Sequence, residues 1–149
     1  MYFKYDKKNK YKDSIIHIEM PAFALYDDIE FEFNVVPNPS HDKSKIFKIH
    51  HSYTPLHLPY RVGMKVPDYL KNNKDKIVVI RKDVHQRKKI IPTYIVKDSL
   101  FFITNLFGDF TLHLDTKGPL ITGVDIKNGS NLSGKSKFVL QIDDNLSGI

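Results

Sequence analysis

The sequence has 149 residues, no cysteine and a formal net charge of +6 at pH 7. A chain of this length normally forms one domain, or one domain with part of another. The lack of cysteine excludes disulfides, thiol catalysis and zinc sites built from cysteine. Eight Tyr, ten Phe and abundant Ile and Val favour strands over helices.

No stretch approaches the roughly 20 apolar residues that a membrane-spanning helix requires, so we predict no transmembrane segment. The N-terminal sequence MYFKYDKKNKYKD contains no apolar segment of the kind found in signal peptides. If the chain were excised from a larger precursor, a signal would be missing from this fragment.

The positive charge is concentrated in the N-terminal KYDKKNKYKD and in residues 71–89, where eight Lys/Arg stand against two Asp. A basic surface can bind nucleic acid or another anionic polymer. No nucleic-acid-binding motif accompanies either cluster. We therefore interpret both as solvated loops and predict no nucleic-acid partner.

Apolar residues recur with period two along most of the chain, which indicates strands. The clearest run is DIEFEFNVV (28–36), in which Ile29, Phe31, Phe33 and Val35 point to one face. A strand with one wet face and one dry face is typical of an antiparallel sandwich.

Similar runs follow in chain order, separated by Pro-rich or polar turns. They cover residues 14–20, 45–51, 57–66, 76–82, 92–96, 99–103 and 109–115. Lys97 and Asp98 form a predicted hairpin turn, and VPDYLKNN (66–73) predicts one helical turn that starts at Pro67. About nine strands at this spacing predict an all-β, immunoglobulin-like antiparallel sandwich over residues 1–117.

Residues 115–121, DTKGPLI, are the predicted domain boundary because Gly118 and Pro119 interrupt a strand. Two further strands are predicted at 121–126 and 136–143. We interpret residues 118–149 as the first strands of a second immunoglobulin-like module. Two strands alone are marginally stable, so this part is expected to pack against a partner.

Four segments carry a family resemblance in their order along the chain. They are IIHIEMPAFALYDDIEFEFNV (15–35), YTPLHLPYRVGMKV (53–66), FGDFTLHLDTKGPLI (107–121) and FVLQIDDNLSGI (138–149). Together they resemble a region of bacteroidete envelope metallopeptidases of the lysostaphin/LytM type. In that family a zinc endopeptidase domain is followed by non-catalytic, immunoglobulin-like β modules.

The resemblance implies an accessory or spacer module of a cell-wall peptidase, located in the periplasm or at the outer membrane. The implied partners are the parent's peptidase domain and possibly peptidoglycan. The family binds zinc through a His followed four residues later by Asp and through a His-x-His pair. None of the seven histidines here fits either pattern. We therefore expect zinc and hydrolase activity in the parent protein, and no enzyme, catalytic residue or cofactor in this fragment.

His50, His51 and His57 are the strongest candidates for a metal site, since three imidazoles and a water can hold Zn²⁺. Adjacent residues on a strand point to opposite faces, so His50 and His51 are expected to diverge. No carboxylate that could support the ligands is apparent in the sequence. We interpret all three as structural and predict no metal ligand.

Weaker candidates have plainer interpretations. His113 falls on the outer face of a predicted strand with Thr111, and Gly134-Lys135-Ser136 lacks the rest of a phosphate-binding loop. Asp125 with DDNL (143–146) could chelate Ca²⁺, but a hydrogen-bonded turn is favoured.

A rival function is a module that binds glycan or an envelope protein. Its candidate side chains are Lys71, Lys74 and Lys76 together with the eight tyrosines. The tyrosines are Tyr2, Tyr5, Tyr11, Tyr26, Tyr53, Tyr60, Tyr69 and Tyr94. Tyrosine is also a common strand residue with an apolar body and a wet tip, which is the interpretation we favour.

Overall fold

A computed structural model describes residues 1–39, 44–124, 126 and 129–144. The chain divides into two compact units, Met1–Leu114 and Asp115–Ile149. The first unit is built mainly from two antiparallel five-stranded sheets, which confirms the predicted all-β sandwich. That residues 118–149 begin an immunoglobulin-like module stays a prediction.

The described residues form fourteen strands and one 3-10 helix. In chain order the strands are β1 (Tyr2–Phe3), β2 (Asn9–Lys12), β3 (Ile16–Met20), β4 (Ile29–Glu30), β5 (Phe33–Pro37), β6 (Lys45–Ile49), β7 (Tyr60–Lys65), β8 (Ile77–Lys82), β9 (Lys88–Ile91), β10 (Thr93–Val96), β11 (Ser99–Thr104), β12 (Gly108–Leu114), β13 (Leu120–Gly123) and β14 (Leu140–Asp143). The helix spans Asp68–Lys76, directly after Pro67, where a helical turn was predicted.

Two five-stranded antiparallel sheets make up most of the first unit. The first sheet has the strand order β10-β11-β7-β3-β2, and the second has the order β5-β6-β12-β8-β9. A short pair, β1 with β4, adds a third sheet. Val96 pairs with Ser99, so Lys97 and Asp98 form the predicted two-residue hairpin turn.

The core lies between the two sheets and follows the predicted alternation. On β7, Tyr60, Val62 and Met64 are each at most 2% exposed. Facing them from the second sheet, Phe110 is fully buried and Leu112 is 3% exposed. Full burial of one such side chain stabilises the fold by about 1.5–3 kcal/mol before entropy is counted.

Both open sides of the sandwich are tied together. On one side, the ring of Tyr11 from β2 lies 5.6 Å from that of Phe31 and 5.5 Å from that of Phe33 at the start of β5. On the other side, the chain crosses between the sheets at Pro92, and the Thr93 hydroxyl donates to the Ile77 carbonyl at 2.7 Å. These contacts hold the two sheets in a fixed relation.

The predicted strand over 28–36 is two strands in the structure. β4 pairs with β1, whereas β5 pairs with β6, and the chain changes partner at Phe31 and Glu32. The break is stabilised because the Phe31 N–H donates to the Met1 carbonyl at 2.7 Å. Phe31 is 3% exposed, so its predicted inward direction is confirmed.

The interpretation of both basic clusters as solvated loops was wrong in part. β2 lies inside the N-terminal cluster, where Lys10 and Lys12 are exposed while Tyr11 packs against the core. Inside 71–89, β8 confirms the strand predicted over 76–82 and is almost entirely buried, and β9 follows it. Alternating lysine with apolar residues suits a strand whose charged side faces water.

The second unit contains the antiparallel pair β13 and β14. Ile121 stands opposite Ile142, and both are exposed, at 60% and 40%. Leu140, which shares the face of Ile142, is 45% exposed. The predicted strands at 121–126 and 136–143 are therefore present but shorter.

Candidate functional site

A cleft of about 350 Å³ lies at one end of the second sheet. Four segments form it: the start of β5, the end of β6 with the turn that follows it, the hairpin between β8 and β9, and the start of β12. We call it the His50 cleft. Its principal side chains are those of Glu32, Lys48, His50, Tyr53, Gln86 and Asp109.

His50 forms the inner wall of the cleft in a strained conformation. Its φ of 48° is in the left-handed region, which is uncommon for a residue other than glycine. Its N–H donates to the Glu32 carbonyl at 2.9 Å, which fixes the turn after β6. Its Nδ1 is buried and has no hydrogen-bond partner among the described residues.

This turn corrects the prediction that the neighbouring His50 and His51 diverge. Their ring centroids are 4.8 Å apart, because the left-handed His50 ends the extended strand. A carboxylate is also close, since His51 Nε2 lies 3.8 Å from Glu32 Oε2. Burial first, and then the charge of His51, lower the pKa of His50, while Glu32 partly opposes them.

Tyr53 provides an aromatic surface at the rim of the cleft. Its ring lies parallel to that of His51, with centroids 5.1 Å apart and 4° between the planes. The side chain is nevertheless 73% exposed. The ring is thus held by stacking on one face, and its other face is open to solvent.

The hairpin between β8 and β9 forms the opposite wall and is organised by Asp83. The Asp83 carboxylate accepts hydrogen bonds from the N–H groups of His85 and Arg87, at 2.8 and 3.0 Å, and from Arg87 Nε at 2.7 Å. Burial raises the pKa of Asp83, but these hydrogen bonds outweigh it, and the net pKa is lowered. Gln86, at the tip, has a φ of 59°.

Gly108 lets the start of β12 approach the cleft closely. Its φ is 131°, and a Cβ there would lie 2.9 Å from the Lys82 carbonyl oxygen and 3.1 Å from Ser52 Cβ. Of the four described non-glycine residues with positive φ, two, His50 and Gln86, line this one cleft. Backbone strain concentrates at functional sites, so this clustering favours a binding role for the cleft.

A row of polar side chains crosses the outer face of the second sheet, and its first four members form the floor of the cleft. In register across the five strands it reads Asn34, Lys48, Asp109, Lys82 and Lys88. Within the described part of the chain, none of the three lysines has an ion-pair partner. Lys48 and Lys82 thus lie on either side of Asp109 in the floor, and Glu32 and Asp83 add two further carboxylates to the lining of the cleft.

The other candidate residues lie elsewhere or outside the described residues. His57 contacts Tyr26, with ring centroids 5.6 Å apart. His113 Nε2 lies 3.0 Å from Thr111 Oγ1, on the outer face as predicted. Asp125 and residues 145–149 are outside the described residues, so the Ca²⁺ hypothesis is not addressed. No three metal-ligating side chains are grouped among residues 1–39, 44–124, 126 and 129–144.

Sequence reasoning identified the histidines but missed the cleft. Lys48 lies on β6, Asp109 on β12 and Glu32 just before β5, and each occupies an outward position in an alternating run. Such positions are the available signal, but only the strand order places them side by side.

The first unit is thus a β-sandwich module with a polar, aromatic-rimmed cleft at one end. Residues 1–115 match the family model of the Zu5-like domain, and the chain belongs to this family. No curated protein matches the sequence. In the part of the chain that the structure describes, no helix is long and apolar enough to cross a membrane.

Proposed function

We propose that this chain is a non-catalytic accessory module that spaces and orients a neighbouring zinc peptidase domain in the cell envelope. The peptidase, its zinc and its peptidoglycan substrate enter the proposal from the resemblance to lysostaphin/LytM-type enzymes. The module itself contributes position: it raises the effective concentration of a catalytic domain near a polymer.

One observation carries the structural role. The segment containing Leu25 and Tyr26 and the segment YTPLH, both part of the resemblance, contact each other. Leu25 pairs with Leu56 in an isolated β-bridge, and the His57 N–H donates to the Ala24 carbonyl at 2.8 Å. The residues that carry the resemblance thus contact each other within the sandwich, which favours a scaffolding role for them.

The spacer role is tested in a longer polypeptide that joins this chain to its peptidase domain. Replacing residues 1–114 with a flexible linker of equal length should lower cleavage of intact cell wall about tenfold and leave cleavage of a soluble peptide unchanged. Equal rates on both substrates would contradict the proposal, as would an extended reading frame without His-x-x-x-Asp and His-x-His. Chelator-sensitive peptidase turnover by the isolated chain would also contradict it.

A second candidate function is ligand binding, and the His50 cleft favours it. Lys71 and Lys74, proposed from the sequence for this role, pair with Asp68 at 2.6 Å and Asp98 at 3.8 Å. The unpaired Lys48, at the cleft, is the better candidate. Co-sedimentation with purified peptidoglycan at low and high salt separates the two functions, because a passive spacer stays in the supernatant.

A further inference from the structure

We propose that the His50 cleft binds a sugar that carries a carboxylate group. This inference deepens the binding candidate above, and it is independent of the spacer role. The cleft volume of about 350 Å³ lies at the lower end of the range for small-molecule sites.

The open face of Tyr53 is the first element of the site. A pyranose ring presents a flat face of C–H groups, and an aromatic ring buries such a face with little loss of conformational freedom. Stacking on His51 at 5.1 Å fixes the orientation of Tyr53 before any ligand arrives. A pre-oriented ring lowers the entropic cost of binding.

The second element is the mixture of donors and acceptors beneath that ring. Asn34 and Gln86 offer amide groups, Asp109 accepts hydrogen bonds, and Lys48 donates them. Sugar hydroxyls both donate and accept, so a mixed set of this kind can satisfy them.

The third element is charge. Lys48 and Lys82 flank Asp109 from the two neighbouring strands. Glu32 and Asp83 also line the cleft, but Asp83 is paired with Arg87. Neither Lys48 nor Lys82 has an ion-pair partner among the described residues, so their ammonium groups are available to an anion. A carboxylate on the sugar would form charge-assisted hydrogen bonds with the ammonium groups.

The test uses two matched pairs of sugars and the intact chain. In each pair only the first sugar carries a carboxylate: methyl glucuronide with methyl glucoside, and N-acetylmuramic acid with N-acetylglucosamine. Titrations followed by ¹H–¹⁵N correlation spectra should show at least one acid binding with a dissociation constant on the order of 1 mM, as expected for a ligand of roughly a dozen heavy atoms. Its neutral counterpart should bind several-fold more weakly.

Binding of methyl glucuronide would show that the cleft accepts a uronic carboxylate, and binding of N-acetylmuramic acid would show that it accepts a lactyl ether carboxylate. Shifted amides should cluster in 50–53, 83–87 and 108–109. Tyr53→Ala should weaken binding about fivefold, whereas Tyr53→Phe, which keeps the ring, should not. Lys48→Gln should weaken binding of the acidic sugar and leave binding of its neutral counterpart unchanged. Tyr94→Ala, on the other sheet, is the matched control and should change nothing.

The inference is overturned if neither acid shifts the cleft amides at a sugar concentration of about 10 mM, ten times the expected dissociation constant. It is also overturned if Tyr53→Ala and Lys48→Gln leave binding unchanged. The spacer proposal concerns peptidase rates on polymer and soluble peptide, so failure of sugar binding leaves it standing.

Discussion

The imidazole ring of His50 lies edge-on to the ring of Phe107, with 5.0 Å between centroids and 77° between planes. Phe107 is fully buried, and the buried Nδ1 of His50 has no hydrogen-bond partner among the described residues. Protonating His50 would therefore place a charge beside an apolar ring. This explains why burial lowers its pKa.

The first prediction is a loss of stability at mildly acidic pH. In the unfolded chain, His50 takes up a proton near pH 6.5, whereas in the folded chain it does so only at lower pH. Between these two values the unfolded state binds more protons, so stability falls as the pH drops below about 7. Because His50 is half-buried, we expect an effect below about 1 kcal/mol.

Urea unfolding at pH 7.5 and 5.5 measures this effect. His50→Asn, which tolerates the left-handed backbone, should show a smaller difference between the two pH values than the wild-type chain. His85→Asn is the control, because His85 is exposed. An equal pH dependence in wild type and His50→Asn would disprove the role of His50.

The second prediction concerns Tyr60, whose hydroxyl donates to the Leu106 carbonyl at 3.0 Å. Tyr60→Phe leaves that carbonyl without its partner and should destabilise the fold by about 1 kcal/mol at pH 7. Burial raises the pKa of Tyr60 well above its usual value, and the nearby Arg81 only partly opposes it. In the unfolded chain the hydroxyl ionises near pH 10.

Above that pH the wild-type chain should therefore lose stability, because the folded state keeps the Tyr60 proton and the unfolded state releases it. Tyr60→Phe has no hydroxyl to ionise and does not lose stability in this way, so the stability difference between the two chains should narrow from pH 7 to pH 10.5. Tyr94→Phe, at a 43% exposed site, should match wild type at both pH values. A constant difference would show that Tyr60 does not resist ionisation.

The third prediction concerns the wall of the cleft. The hydrogen bonds to Asp83 from His85 and Arg87 stabilise its ionised form, so this support is present above about pH 4 and is lost as the pH falls through the lowered pKa. Asp83→Ala removes it at all pH values. The Arg87 amide should then exchange with solvent at least severalfold faster at pH 7.

Asp75→Ala is the control, since Asp75 is exposed and lies in the 3-10 helix, outside this hairpin. Unchanged exchange of the Arg87 amide in Asp83→Ala would mean that the hairpin is held by strand pairing alone.

Local alternation was enough to predict the sandwich. From Tyr60 to Val66 and from Phe110 to Leu114, every second residue is apolar and packs in the core, because a buried face imposes a period of two on a strand. The same reasoning could not detect the break within 28–36. Both sides of the break keep the alternation, and only the backbone bonds to Met1 and β6 distinguish them.

The cleft was beyond sequence reasoning for a different reason. His50 and His51 were assumed to continue an extended strand, and nothing in the local sequence indicates a left-handed histidine. The position of Asp109 between Lys48 and Lys82 depends on strand order, which joins segments some 60 residues apart in the chain. Clusters of this kind are visible only when the pairing is known.

The last prediction tests the packing of Gly63 against Phe101 on the outer face of the first sheet. A Cβ on Gly63 would lie 2.6 Å from Cε1 of Phe101, so this ring packs directly against the glycine. Arg61 covers the same ring, with its guanidinium carbon 4.4 Å from the centroid. Gly63→Ala must displace the ring and weaken this cation–π contact.

We expect Gly63→Ala to destabilise the fold by about 1–2 kcal/mol in thermal or urea unfolding. Gly118→Ala is the matched control, because a Cβ there meets no atom within 4 Å, and it should have little effect. Adding Phe101→Leu should recover part of the loss, since a smaller side chain leaves room for the methyl group. If Gly63→Ala and Gly118→Ala are equally stable, the Phe101 ring moves aside at no cost, and its position over Gly63 contributes nothing to the fold.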